Sequence, residues 1–363
     1  MAENSVGRSS DFQTKLFRWY RLHQRKLPWR QTKDPYRIWI SEIMLQQTTV
    51  QAVVPYYQKW IKLFPDVKTL SKASLQKVLK AWEGLGYYQR AKNLHRAAKI
   101  ILHRFEGKIP KDYHSLKELP GIGPYTASAL LSFAYNLPYP VVDANVRRVL
   151  MRLLGIRDKN LSPSNKAFQK FFHAHFPPTH SSLFNQALME LGALVCRSKN
   201  PLCLLCPITE YCQAYEAGEQ EVIPLPQKRS YQKIETVVAI IQNHGKILIQ
   251  KRPSQGLLAD LWEFPGGKRK DHETPEQALR REIKEELGAE VKNLSFLTKV
   301  HHSYTKFQVT LYAFRCALET TPHLRKSTHR WVTAKGLKRY PFPSGSVKII
   351  RFLEEKRHYA SPQ

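Results

Sequence analysis

From Phe12 to about Ala217, apolar residues recur at steps of three and four, as in Leu75, Val78, Leu79 and Trp82 or Leu94, Ala97, Ala98 and Ile101. At that period a helix turns one face to a core, so the pattern predicts an all-helical first domain, residues 1–217. The pattern stops at Gly218. The stretch to Lys233 includes Glu221-Val222-Ile223-Pro224-Leu225-Pro226-Gln227-Lys228-Arg229-Ser230, with prolines and basic residues but no apolar period, and predicts a linker over 218–233. Beyond it, residues 236–242 and 246–251 are β-branched and apolar around Asn243-His244-Gly245, which suits a hairpin, and residues 307–318 form a further apolar run. Helical patterns return over 275–287 and 344–355. The second domain, 234–363, is therefore expected to be α+β.

Composition adds a partner to this picture. Over 363 residues, Lys and Arg outnumber Asp and Glu by 58 to 29, a formal charge of +29. Such an excess calls for a polyanion, and nucleic acid is the natural one because neutralising its phosphates yields affinity independent of sequence. No apolar run approaches the roughly 20 residues that span a bilayer, so no membrane partner is expected. The first eleven residues are polar and lack the apolar core of a signal peptide. A reducing, cytoplasmic setting follows as an expectation, with Cys316 an ordinary core thiol.

Four of the five cysteines, Cys196, Cys203, Cys206 and Cys212, stand in a C-x6-C-x2-C-x5-C array. Thiolates so close in sequence suit either an iron-sulfur cluster or zinc, and ligand chemistry alone leaves both open. Upstream, Leu119-Pro120-Gly121-Ile122-Gly123-Pro124-Tyr125-Thr126-Ala127 predicts helix, tight turn, helix, with Gly121 and Gly123 free to take positive φ and Pro124 opening the second helix. Such a turn can present backbone N–H groups to a phosphate, or simply join two helices. Asp143, in Val141-Val142-Asp143-Ala144-Asn145-Val146, suits an N-cap and equally a functional carboxylate. Glu42, in Ile40-Ser41-Glu42-Ile43-Met44-Leu45-Gln46-Gln47-Thr48, is either a first-turn glutamate facing a helix dipole or a carboxyl desolvated by apolar neighbours.

Taken together, the hairpin segment, the Asp143 segment and the cysteines resemble the helix-hairpin-helix DNA glycosylases that carry one four-iron four-sulfur cluster. Glu42 to Thr48 is similar to the motif of the MutY-like adenine DNA glycosylases, and the resemblance runs from about Phe12 to Phe352. It implies an all-α helix-hairpin-helix glycosylase domain with an iron-sulfur loop, followed by an α+β Nudix-like domain. Glu42 would then protonate the adenine and Asp143 would stabilise the sugar cation or attack it. Tyr125 stands where bifunctional relatives carry a Schiff-base lysine, which implies that water completes the reaction and leaves an abasic site. Asn145 joins Tyr125 in positioning. Leu27, Trp29, Arg30 and Gln186 would line the pocket for the extruded base, while Gln47 and Tyr87 would enter the duplex beside it. Arg197 and Lys199, in the cysteine loop, would meet phosphates. The implied partner is double-stranded DNA with adenine opposite 8-oxoguanine or guanine, bound by a monomer.

Gly267-x5-Glu273-x7-Arg281-Glu282-Ile283-Lys284-Glu285-Glu286-Leu287-Gly288-Ala289 resembles the Nudix box, with Ala289 smaller than the usual closing residue. Glu282, Glu285 and Glu286 share a helix face and would suit Mg2+, although excision of a base does not require it. In the adenine glycosylases this domain reads the opposite base and its box is decayed; a complete box leaves a DNA-tethered nucleotide pyrophosphohydrolase as the alternative function. The family's Phe-Ser-His loop corresponds here to His302-Ser303-Tyr304, so Ser303 and Tyr304 are the expected contacts to the opposite base.

Overall fold

The computed structural model describes residues 3–158, 165–225, 231–304 and 307–359, with backbone alone for residues 3–9, Tyr304 and residues 356–359. Its helices up to the sheet are α1 (Glu3–His23), α2 (Pro35–Leu45), α3 (Val50–Leu63), α4 (Val67–Lys72), α5 (Leu75–Trp82), α6 (Gln89–Arg104), α7 (Tyr113–Lys117), α8 (Pro124–Tyr135), α9 (Ala144–Leu153), α10 (Lys166–His175), α11 (Ser181–Leu194) and α12 (Gln213–Glu216). Backbone contacts divide the chain into two compact units, residues 1–72 with 96–228 and residues 73–95 with 229–363. The segment 73–95, helical as its period predicts, thus belongs with the sheet rather than with the helices around it in sequence. No helix among the described residues is long and apolar enough to cross a membrane.

In the first unit α2 packs on α3 and α8, and α11 packs on α1, α8 and α9. One core holds Phe12, Leu16, Val149, Phe168, Phe184 and Leu188, fully buried and drawn from α1, α9, α10 and α11. Helix starts are written locally: Asp34 accepts from Tyr36 N ahead of Pro35, Asp143 accepts from Val146 N, and Pro124 opens α8. Helix α2 differs from its neighbours. Ile38, Trp39, Ile40, Ser41, Glu42, Ile43 and Met44 are all buried, so it is enclosed on every side rather than along one stripe.

The second unit is built on β1 (Gln232–Asn243), β2 (Lys246–Lys251), β3 (Trp262–Glu263), β4 (Val291–Tyr304), β5 (Phe307–Leu318) and β6 (His329–Thr333), with helices α13 (Pro275–Leu287) and α14 (Ser344–Tyr359). The strand order is β3-β2-β1-β5-β4, with β6 on β2; β1 and β5 run parallel and the other pairs antiparallel. Alternate residues of β1 face opposite cores. Val237, Ala239 and Ile241 join Leu279, Ile283 and Leu287 of α13, while Val238 and Ile240 join Phe342, Ile349 and Leu353 near and on α14.

Two expectations need correction. Gln232 and Lys233, placed in the linker, already belong to β1, while residues 226–230 of that linker lie outside the described residues. His302-Ser303-Tyr304 is not a loop before a strand but the end of β4, where ladder pairing sets His302 against Val309 and Ser303 against Gln308. The long β4 was missed because Val291-Lys292-Asn293-Leu294-Ser295 is too polar to show an unbroken apolar run.

Candidate active site

A cavity of about 670 Å³ opens in the first unit, lined by Glu42, Tyr125, Asp143 and Asn145 with walls from Trp29 and Gln186. Its size is that of a site for a small organic group such as a base. Four separate elements reach it: α2 carries Glu42, the first turn of α8 carries Tyr125, the start of α9 carries Asp143 and Asn145, and α11 carries Gln186.

Glu42 lies near the end of α2, not in its first turn, so the helix-dipole reading of this residue fails. It is 4% exposed. Burial pushes its carboxyl up to about 7, aided by the charge of Asp143 and opposed by the Tyr125 hydrogen bond and the charge of Arg30. The Tyr125 hydroxyl donates to Glu42 Oε2 at 3.0 Å. Burial and the two neighbouring carboxylates hold that phenol well above its usual range, so it stays a donor.

Asp143 is both cap and site residue. Its Oδ1 accepts from Val146 N at 2.7 Å and its Oδ2 from Asn145 Nδ2 at 3.1 Å. Burial raises its pKa, while the bonds from Val146 and Asn145 and the charge of Arg148 act the other way. Burial outweighs the bonds and the charge, so the net shift of this helix N-terminal carboxyl is upward.

The wall residues expected from the sequence, Leu27, Trp29, Arg30 and Gln186, all line the cavity, and so does Gln47, which was expected to enter the duplex instead. Gln186 is fixed between the Tyr20 hydroxyl at 3.0 Å and Ser182 Oγ at 2.9 Å. The Arg30 guanidinium donates to Glu190 Oε2 at 2.6 Å, and Arg25 meets both oxygens of the same carboxylate at 2.8 and 2.9 Å. Burial would raise the fully buried Glu190, but the bonds from Arg25 and Arg30 outweigh it and bring it down to about 2. Sequence reading missed Arg25 and Glu190; the signal available was Glu190 one helical turn after Gln186, on the same face of α11.

It also missed the far side of α9. Arg148 donates from Nη2 to Asn145 Oδ1 at 3.0 Å and to Gly192 O at 2.7 Å, and from Nε to Cys196 O at 2.9 Å. One turn on, the fully buried Arg152 donates to Cys196 Sγ at 3.3 Å, Arg197 O at 2.7 Å and Ile223 O at 2.7 Å. Cys196, Cys203, Cys206 and Cys212 line one small cavity with Arg152 and Gln220, and none of them is in a disulfide. Burial pushes Cys206 up to about 11. Gln220 Oε1 is buried at this cavity without a hydrogen-bond partner.

The remaining expected residues lie elsewhere. Gly121 has φ +82 as predicted, but Gly123 is the N-cap of α8 with φ −87, so its glycine does not serve a positive φ. Arg197 and Lys199 are exposed, and Tyr87 lies in the second unit with φ +46. Ser303 is exposed on β4, and the Tyr304 side chain is outside what is described. The Nudix-box carboxylates are engaged within the protein: Arg281 meets Glu273, Glu282 and Glu285 at 2.6, 2.8 and 3.1 Å, while Glu286 accepts from Gln250 and Gly266 N.

Helices α9 and α11 meet at Gly192, where an added Cβ would stand 2.7 Å from Asn145 Cβ and 3.1 Å from its carbonyl. Gly192→Ala should therefore push α11 off the Asp143 end of α9 and cost about 1–3 kcal/mol, measured by urea unfolding. An unchanged midpoint would show that the approach is not tight.

A model of HhH-GPD superfamily base excision DNA repair proteins matches residues 40–178, and a NUDIX domain model matches residues 236–352. An adenine DNA glycosylase of Buchnera aphidicola subsp. Acyrthosiphon pisum is 34% identical over 350 residues, covering 93% of this chain and 96% of its own. The adenine DNA glycosylase of Homo sapiens is 30% identical over 412 residues, covering 96% of this chain and 75% of its own. Among solved structures, a thermostable thymine-DNA glycosylase is similar with a TM-score of 0.55 and 29% identity, covering 60% of this chain and 100% of that one. With the helix-hairpin-helix unit, the Nudix-like unit and relatives matched over nearly its full length, the chain belongs to the adenine DNA glycosylase family.

Proposed function

We propose that this chain excises adenine from duplex DNA in base excision repair, acting where adenine stands opposite 8-oxoguanine or guanine and leaving an abasic site. The observation that carries the proposal is a buried carboxyl, Glu42, pushed up to about 7 in the same cavity as the capped carboxylate Asp143. A buried carboxyl that keeps its proton and a second carboxyl held by Val146 N and Asn145 Nδ2 divide the labour of breaking a glycosidic bond. Glu42 gives its proton to a ring nitrogen of the flipped adenine, so that the C1′–N9 electron pair leaves with the base. Asp143 faces the positive charge that develops on the sugar. A water then adds at C1′ and releases a proton, which restores Glu42. Tyr125 offers no amine, so no Schiff base forms and the backbone is left intact.

The exposed Arg197 and Lys199 supply phosphate contacts, in keeping with the charge of +29. Ser303, exposed near the end of β4, is the contact offered to the opposite base. Cys196, Cys203, Cys206 and Cys212 would hold a four-iron four-sulfur cluster, which when bound fixes the chain between them and takes no part in hydrolysis. Support comes from four thiols around one cavity and a buried guanidinium on Cys196 Sγ. Among the described residues no three Cys, His, Asp or Glu side chains are arranged to hold one metal ion.

Single-turnover adenine release from duplexes pairing adenine with 8-oxoguanine, guanine or thymine tests the activity. The unmodified chain should release adenine fastest opposite 8-oxoguanine and leave an alkali-labile strand, and Asp143→Asn should lose at least about 100-fold in rate. Release that survives Asp143→Asn would refute the role of that residue. For the cluster, anaerobically prepared protein should contain iron and sulfide and show broad visible absorption; stoichiometric zinc without iron would overturn it.

A further inference from the structure

Phe342 sits in Tyr340-Pro341-Phe342-Pro343, fully buried in the second unit with its ring 5.5 Å from that of Phe264. A buried backbone N–H and C=O must find partners, and here neither comes from the sheet. Glu83 Oε1 accepts from Phe342 N at 2.8 Å, and the Tyr88 hydroxyl donates to Phe342 O at 2.8 Å. Nearby carbonyls are taken by the same segment: Lys80 donates to Tyr340 O at 3.0 Å and Gln76 to Arg339 O at 3.1 Å. A second grip lies one turn along α6. Lys92 reaches Asp260 Oδ2 at 2.5 Å and Ser254 O at 3.2 Å, with the two charged side chains only 6% and 11% exposed.

Between Glu83 and Tyr88 runs the turn Gly84-Leu85-Gly86-Tyr87, in which Gly84, Gly86 and Tyr87 have φ of +102, +72 and +46. Its carbonyls are held from within: Trp82 Nε1 donates to Gly86 O at 2.9 Å, and Arg90 Nη2 donates to Leu85 O and Gly86 O, both at 3.2 Å. The Arg90 guanidinium also lies 5.4 Å from the Tyr87 ring centroid. A turn so tied has little freedom relative to the residues flanking it, and both flanking residues grip Phe342.

We infer that Glu83, Tyr88 and Lys92 are positioning residues for opposite-base selectivity, fastening the Gly84–Tyr87 turn to Phe342 and Asp260 so that the base read by the sheet domain biases how the turn enters DNA. The inference rests on the proposed reading of the opposite base by that domain. Glu83 and Tyr88 act through the turn and touch no reacting atom.

The test compares single-turnover adenine release opposite 8-oxoguanine and opposite guanine, using the full chain and its Tyr88→Phe, Lys92→Met, Glu83→Ala and Glu83→Gln variants. Tyr88→Phe removes one hydroxyl, and Lys92→Met leaves Asp260 its second cation, Lys251, at 3.5 Å. Tyr88→Phe, Lys92→Met and Glu83→Ala should each lower the ratio of the two rates about threefold or more, by slowing release opposite 8-oxoguanine while sparing release opposite guanine. Glu83→Gln keeps an acceptor oxygen for Phe342 N and should keep the ratio. A merely structural role would lower both rates together; that result, or a ratio untouched in all variants, overturns the coupling alone. An unmodified chain with equal rates opposite both bases overturns the reading of the opposite base, and the coupling with it.

Discussion

The burial of Glu42 is the constraint on which the site of the first unit depends. A carboxyl on a helix enclosed by Ile38, Trp39, Ile40, Ile43 and Met44 cannot ionise at its ordinary pKa, and the proton it keeps is what adenine needs in order to leave. Such a group is easily spoiled by a nearby cation. Arg30 faces the same cavity and favours the ionised form of Glu42, but its guanidinium is drawn onto Glu190, which Arg25 also grips. The ion-pair triad on the buried Glu190 thus orients Arg30 as a wall while moderating its charge at Glu42. A carboxylate placed at Glu190 costs desolvation, and removing it would leave two guanidinium groups without their counter-charge.

Asp143 is placed by helix geometry. As cap it accepts the free N–H of Val146 in the first turn of α9, so one bond serves folding and catalysis alike. From that end α9 extends through Arg148 and Arg152 to the chain carrying the cysteines, and Gly192 lets α11 come close enough to receive Arg148. The position of a single carboxylate is therefore shared between a cap, two arginines and a helix contact that only glycine permits.

Much of this was legible in the sequence because it is local. The helical period, the Asp143 cap, the Pro124 start and the cysteine spacing each depend on a few consecutive residues. The motif resemblance then brought Glu42, Tyr125, Asp143, Asn145, Trp29 and Gln186 together, and the structure gathers these residues at one cavity. What escaped was long-range. Glu190 is tied to Arg25 across 165 residues, and Phe342 finds its partners in Glu83 and Tyr88 more than 250 residues earlier, at separations of 259 and 254. No period or spacing records such pairs. Segment 73–95 shows the same limit: its helical pattern is genuine, yet pattern says nothing about which core a helix joins. Strand β4 escaped because its exposed face interrupts the apolar run.

The pH dependence of single-turnover adenine release tests the central claim most directly. If Glu42 is the acid, its protonated form is the active one, so the rate should be highest below about 7 and fall as pH rises through that value. Glu42→Gln should lose most of the rate and with it the alkaline limb of the profile. A rate that stays flat through this range in the unmodified chain, or a Glu42→Gln variant that keeps both rate and profile, would contradict the account.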